Sequence, residues 1–187
     1  MNKKEQILQE IAELFYVNGY EKTSIRDISN ALNISKPGLY YHFTNKQEIL
    51  FDMIYDFMEG TNLALFSELS DISTPEKRLF CIIKNHIESF IKHPARMRVL
   101  VYEAHSLEGN YYERFRQKQR EYIVVIKEVL QKIMDKHDSG RNINVVTFTL
   151  LGMLNWIIQW YEPGGAVSPG ELAEEMYSFF INGLKSR

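Results

Sequence analysis

Thr23-Ser24-Ile25-Arg26-Asp27-Ile28-Ser29-Asn30-Ala31-Leu32-Asn33-Ile34-Ser35-Lys36-Pro37-Gly38-Leu39-Tyr40-Tyr41-His42-Phe43, followed by Asn45-Lys46, carries two short helix signals separated by one turn. Ser24 with Asp27 three residues on has the form of a capping box, Asp standing where Glu is usual, so a helix begins near Ser24. Leu32-Asn33-Ile34 is the turn. A tight helix-helix turn needs one residue at positive φ; Asn tolerates this best after Gly, which makes Asn33 the pivot. Ser35 can cap the second helix, and Pro37 suits its first turn. Ile28, Leu32 and Ile34 are spaced to pack the two helices on each other and on a helix before them. The stretch reads as a helix-turn-helix with helices near 25–32 and 36–42.

A recognition helix offers its N-terminal residues to base edges while its neighbours hold phosphates. Lys36, Pro37 and Gly38 fall at that N-terminus, and Gly38 lets the backbone come close to a base or a thymine methyl. Tyr40, Tyr41 and His42 offer hydroxyls and a ring N–H to phosphate oxygens, contacts that position without reading sequence. Leu39 and Phe43 are four apart and face inward. Arg26 can reach a phosphate or a guanine edge, and Lys46, opening the next helix, a phosphate. Thr23, Ser24 and Ser35 complete the expected DNA-facing set. The competing reading is a small three-helix core in which the aromatic and aliphatic residues only pack.

Residues 4–50 resemble the DNA-binding domain of the TetR family of bacterial regulators. The resemblance rests on Ile7-Leu8, Leu14-Phe15, Asn18-Gly19-Tyr20-Glu21-Lys22-Thr23-Ser24, Ile28, Ala31-Leu32, Ile34-Ser35, Leu39-Tyr40-Tyr41-His42-Phe43 and Lys46-Gln47-Glu48-Ile49-Leu50. Asn33 stands where the family more often has Gly, and Ser29 where it more often has Ala. The resemblance implies a homodimeric, ligand-responsive transcription regulator, most often a repressor, that binds palindromic operator DNA.

Composition bounds the rest. The chain has 187 residues with 45% hydrophobic content, enough for a substantial core in one or two domains. A single cysteine, Cys81, excludes an internal disulfide framework and suits a reducing cytosol, so a cytoplasmic protein is expected. The N-terminus runs straight into an amphipathic helix and does not read as a signal peptide. Net charge is −2. Residues 1–46 carry +1 and the remainder −3, so any DNA footprint must be local, and two subunits are expected to share the work.

Helical periodicity organises the whole chain. Ile7, Leu8, Ile11, Leu14 and Phe15 predict a helix over Lys3 to Val17, stopped at Gly19. Long helices follow from Lys46 to about Glu68, with Gly60 a weak point, and from about Pro75 to His93. A shorter one spans Arg96 to Ser106. Further helices cover Gly109 to Lys136, Ile143 to Tyr161, and Ser168-Pro169 to Lys185. No alternating strand pattern, repeat or low-complexity tract occurs. The expected fold is all-α with about nine helices: a helix-turn-helix head over 1–46 and a ligand-binding and dimerisation domain over 47–187.

Val145 to Trp160 is apolar almost all round. A surface helix is apolar on one stripe only, and this one is too short and too interrupted by Thr, Asn and Gln for a membrane span, so no membrane association is expected. A partner subunit is the simplest cover for its outer side. Phe148 and Gly152, with Leu172, Met176, Phe179 and Phe180 of the last helix, are the expected dimer interface, a two-fold four-helix contact that fits two-fold DNA sites.

Polar residues on apolar faces are the effector candidates. His86 lies in the Ile82/Ile83/Ile87 stripe, and Asn155, Trp156 and Gln159 lie on the apolar helix. Buried amides need hydrogen-bond partners, which a partner helix or a ligand can supply. Tyr102 and Tyr122, from the aromatic-rich region between Phe51 and Val129, join them. Leu151-Gly152, Asn155-Trp156, Trp160-Tyr161, Pro163-Gly164-Gly165 and Ser168-Pro169 with Glu171-Leu172-Ala173 resemble a TetR branch that includes regulators of fatty-acid and sterol degradation. That resemblance implies an acyl-CoA thioester as effector. Arg96, Arg98, Arg114, Arg116, Lys118 and Arg120 could hold a CoA phosphate or form a solvated face with Glu113 and Glu121. No nucleophile elbow, P-loop or dinucleotide fingerprint is present, and Glu103/His105 and His137/Asp138 match no common metal spacing, so no catalysis, cofactor or metal is expected. Two other functions stay open on sequence: a helical small-molecule-binding protein without DNA function, and a constitutive DNA binder with no ligand.

Overall fold

The computed structural model describes residues 3–185. Among them lie nine α-helices and one 3-10 turn: α1 (Lys3–Asn18), α2 (Ile25–Ala31), α3 (Lys36–Tyr40), α4 (Lys46–Ser70), α5 (Pro75–Lys92), α6 (Pro94–Glu103), η1 (Ala104–Ser106), α7 (Gly109–Lys136), α8 (Ile143–Trp160) and α9 (Pro169–Lys185). No strand occurs among the described residues. The all-α expectation holds, with boundaries displaced by a few residues. The helix expected over 96–106 begins two residues early, with Pro94 in its first turn, and its end tightens into η1. Gly60 neither breaks nor caps α4.

The chain divides into two compact units. One takes the residues through Gly60 together with His93–Lys118; the other takes Thr61–Lys92 and the residues from Gln119 onward. α6, η1 and the start of α7 thus join the N-terminal helices in the first unit.

In the first unit α1 buries Ile7, Leu8, Ile11, Ala12 and Phe15, a stripe with helical spacing. Gly19, at φ 81°, accepts the left-handed turn that ends α1, and its N–H bonds Phe15 O at 2.8 Å. Ile28, Leu39, Phe43, Ile49, Leu50 and Met53 close on that stripe, and Ala95, Val99, Leu107 and Phe115 join the same core. Each fully buried Leu, Ile or Phe side chain contributes about 1.5–3 kcal/mol.

In the second unit α5 packs on α9 and α8. Leu79, Ile82, Ile83 and Ile87 form the inner stripe of α5, and Phe80 sets its ring edge against Tyr177 at 5.5 Å. A reciprocal capping box starts α9: Glu171 N–H donates to Ser168 Oγ and Ser168 N–H to Glu171 Oε2. Among described helices α8 is the one long and apolar enough, by length and composition, to cross a membrane. Its Leu150, Leu154, Ile157 and Ile158 are nevertheless buried within the second unit.

Candidate nucleic-acid interface and effector site

The turn between α2 and α3 forms as its residues dictate. Ser24 caps α2 by accepting from Asp27 N–H, and Asp27 accepts in return from Ser24 N–H at 2.9 Å. The Ser24 hydroxyl, donating to Asp27 Oδ2 at 2.6 Å, and then the Ser24 N–H hold the Asp27 carboxyl below its ordinary range. Asn33 takes φ 51°, and Ile34 N–H then reaches back to Ser29 O at 3.1 Å. Ser35 caps α3 by accepting from Gly38 N–H at 3.2 Å. A Cβ on Gly38 would lie 3.2 Å from the Ser35 hydroxyl oxygen, so glycine leaves room for the cap as well as for a close partner.

Once α3 is anchored by buried Leu39 and Phe43, its other residues are presented outward. Lys36, Pro37, Tyr40 and Tyr41 are exposed, with Tyr41 at 86%. A phenol ring so exposed gains little from packing within this chain. His42 is half-buried, its ring edge-on to Tyr41 at 5.1 Å. Arg26 is exposed on α2.

Two members of the expected DNA set are placed otherwise. Thr23 is buried, its hydroxyl donating to Gly19 O at 2.8 Å, so it braces the α1–α2 loop. Lys46 turns its ammonium inward, to Tyr20 O at 3.0 Å and 4.1 Å above the Tyr20 ring, so it clamps the same loop rather than offering a surface cation. Ser24 and Ser35 are exposed but spend their hydroxyls on helix caps.

Sequence reasoning missed a set of braces that hold α6 and its sequel to these helices. Arg96 is buried and pairs with the Glu5 carboxylate at 2.7 Å. Glu103 accepts from Tyr20 N–H at 3.3 Å, and Gln47 donates to Ser106 O at 2.7 Å while accepting from Glu108 N–H. The Arg98 guanidinium stacks 4.5 Å from the Tyr16 ring, and Arg114 lies 4.6 Å from that of Phe51. Lys118 pairs with Glu59 at 3.7 Å. Of the supposed phosphate cluster, these four cations therefore have intramolecular roles. Most of these pairs are separated by tens of residues, and no local pattern marks them.

The effector candidates also sort themselves. His86 is buried, and its Nδ1 lies 3.4 Å from the Tyr122 hydroxyl. Burial pushes the His86 imidazole down to about 4, an effect that the Asn155 side chain partly opposes. Burial also pushes the Tyr122 phenol up well beyond its ordinary range. Three predicted residues from α5, α7 and α8 thus meet inside the second unit. Trp156 and Gln159 instead point outward on α8, and Tyr102, partly exposed, belongs to the first unit.

The expected interface divides too. Phe148, Gly152 and Phe179 are exposed, Phe179 at 74%, and Phe180 is half-buried. Leu172 and Met176 are instead buried within the second unit, as core residues of their own chain. Between α8 and α9 runs a groove of about 540 Å³ lined by residues including Val145, Thr149, Met153, Phe179 and Phe180. No group of three or more His, Cys, Asp or Glu side chains suited to a metal occurs among the described residues.

Residues 7–53 match the family described as bacterial regulatory proteins, tetR family, and residues 73–184 match a tetracyclin repressor-like C-terminal domain. The transcriptional repressor KstR2 of Mycobacterium tuberculosis is 22% identical over 98% of this chain and 93% of its own. A TetR-family regulator from Bordetella parapertussis superimposes with a TM-score of 0.90 at 29% identity, covering 97% of this chain and 95% of that one. AibR, solved in complex with isovaleryl coenzyme A and operator DNA, superimposes with a TM-score of 0.85 at 25% identity, covering 95% and 97%.

Proposed function

Since this chain belongs to the TetR family of transcriptional regulators, which are DNA-binding proteins and not enzymes, we propose that it is a homodimeric, cytoplasmic repressor released from palindromic operator DNA by a small apolar effector, with an acyl-CoA thioester as the first candidate. Residues 1–46 read DNA, and 47–187 dimerise and sense. The observation that carries the DNA half is the outward presentation of Lys36, Pro37, Tyr40 and Tyr41 from a helix whose other side is locked into the core. Gly38 supplies close approach, Lys36 and Arg26 the cations, and Tyr40, Tyr41 and His42 the phosphate contacts.

The dimer follows from the apolar residues that α8 and α9 leave uncovered: Val145, Phe148, Trp156, Trp160 and Phe179. An apolar patch of this kind is the usual mark of an interface. The effector half rests on the polar group inside the second unit and on AibR, a relative solved with an acyl-CoA and operator DNA. Effector binding would reach the head through α4, which contributes residues to both units.

Binding of the purified protein to DNA from upstream of its own gene, with and without a series of acyl-CoA thioesters, tests this reading. Salt-sensitive, sequence-selective binding that an acyl-CoA abolishes is expected. Selective binding that no thioester, free CoA or fatty acid alters would leave a constitutive repressor. Binding no tighter than to random DNA would remove the DNA role.

A further inference from the structure

Among the described residues, few buried side-chain polar atoms lack a hydrogen bond, and His86 Nε2 is one of them. Its surroundings determine what it can do. A neutral imidazole has one donor and one acceptor nitrogen. The Tyr122 hydroxyl approaches Nδ1. In the tautomer in which the phenol donates, Nδ1 accepts and the ring proton sits on Nε2. That N–H is then a buried donor that meets no acceptor in good hydrogen-bonding geometry; the Asn155 side chain compensates it only in part, so much of its desolvation remains. Asn62 Nδ2, a second buried donor without a partner, lies in the same unit.

The charge environment narrows the partner. Desolvation dominates at His86, opposed by the Asn155 amide, and desolvation acts at Tyr122; among the described residues no lysine, arginine or carboxylate contributes at either. A carboxylate brought here would lose its water and meet no cation, which is costly. A neutral oxygen acceptor would satisfy Nε2 without that cost. Tyr122 and Asn155 are only half-buried, so the group is not sealed from the surface.

We infer that His86 Nε2, flanked by Tyr122 and Asn155, is the donor that receives the carbonyl oxygen of an uncharged apolar effector, an ester, ketone or thioester, in preference to the matching free acid. The inference rests on the ligand-responsive reading above and assigns the effector's polar group. It also separates two ligands that share an acyl chain: the thioester is accepted and the carboxylate rejected.

The test uses the full chain and matched probes with one apolar body: methyl esters, methyl ketones, carboxylates and alkanes of hexyl, octyl and decyl length. Long-range 1H–15N spectra report the His86 tautomer, and thermal shift reports binding. The expected results are a neutral His86 protonated on Nε2 in the free protein, and an Nε2 resonance that moves with ester and ketone but not with alkane or carboxylate. His86→Phe should weaken the ester roughly tenfold and leave the alkane unchanged. If that variant fails to fold, Tyr122→Phe, which frees Nδ1 and mixes the tautomers, provides the second arm. A carboxylate bound as tightly as its ester, a His86 that gains a proton on binding, an Nδ1-protonated free ring, or an Nε2 resonance that no carbonyl probe moves would each overturn the inference. An acyl-CoA that releases DNA while His86 stays unperturbed overturns this anchor and keeps the regulator. An ester that moves His86 while no probe affects DNA binding does the reverse.

Discussion

Asn33 holds α2 and α3 at their crossing by occupying φ 51°, a conformation that costs an ordinary L-residue roughly 1–2 kcal/mol. Asn33→Gly should therefore be neutral or slightly stabilising in chemical denaturation, while Asn33→Ala should lose about 1 kcal/mol. Equal stability of the two variants would show that the turn is not strained. His86 makes a prediction of the opposite kind, through protons. Its imidazole titrates near pH 4 when folded, against 6.5 as the ordinary value. Above pH 6.5 both states are neutral and the stability contribution is complete. Between 6.5 and 4 the unfolded chain takes up a proton that the folded chain refuses, so stability falls with pH, by on the order of 3 kcal/mol if the full interval is realised. His86→Phe should flatten that part of the stability-pH curve relative to the parent; parallel curves would mean that His86 is solvated.

At the scale of elements, α8 and α9 have inner and outer faces with different tasks. Leu172 and Met176 lie on the inner face of α9, so truncating either to Ala should cost about 2–5 kcal/mol of stability, the ordinary penalty for a core cavity. Phe148 and Phe179 lie outside. Phe148→Glu or Phe179→Glu should leave the fold of the chain intact and drive the protein to monomer in analytical ultracentrifugation. A dimer that survives both changes would place the interface elsewhere. Helix α6 is tied to α1 by the Glu5–Arg96 pair, with Arg96 the more deeply buried partner. The Glu5 side chain keeps about a third of its surface in water, so removing the guanidinium should cost less than breaking a fully buried pair.

For the molecule as a whole, the small net charge implies that in the proposed homodimer DNA affinity depends on what two heads do together. Two-fold heads of this type address half-sites about 34–36 Å apart. Operator binding should therefore fall steeply when protein is diluted below the dimer dissociation constant, and Phe179→Glu should lose operator affinity with no residue of the head altered. Lys36→Ala should instead weaken binding at unchanged dimerisation and stability, and reduce the slope of log affinity against log salt by about 1 per head if Lys36 meets a phosphate. An unchanged slope together with a changed base preference would assign Lys36 to a base edge.

The periodicity of apolar residues determined the helices found among the described residues, and the Ser24/Asp27, Asn33 and Ser35 signals determined the head, because caps and turns are set by residues three or four apart. Long-range packing alone decided the rest. It turned Thr23 and Lys46 inward, because a loop hydroxyl and an ammonium found nearer acceptors in the backbone carbonyls of the α1–α2 loop. It brought His86, Tyr122 and Asn155 of the six candidates together, because three helices distant in sequence converge there. It also separated Leu172 and Met176 from Phe179, since a pattern shows that a helix has apolar faces but not which of them its own chain covers.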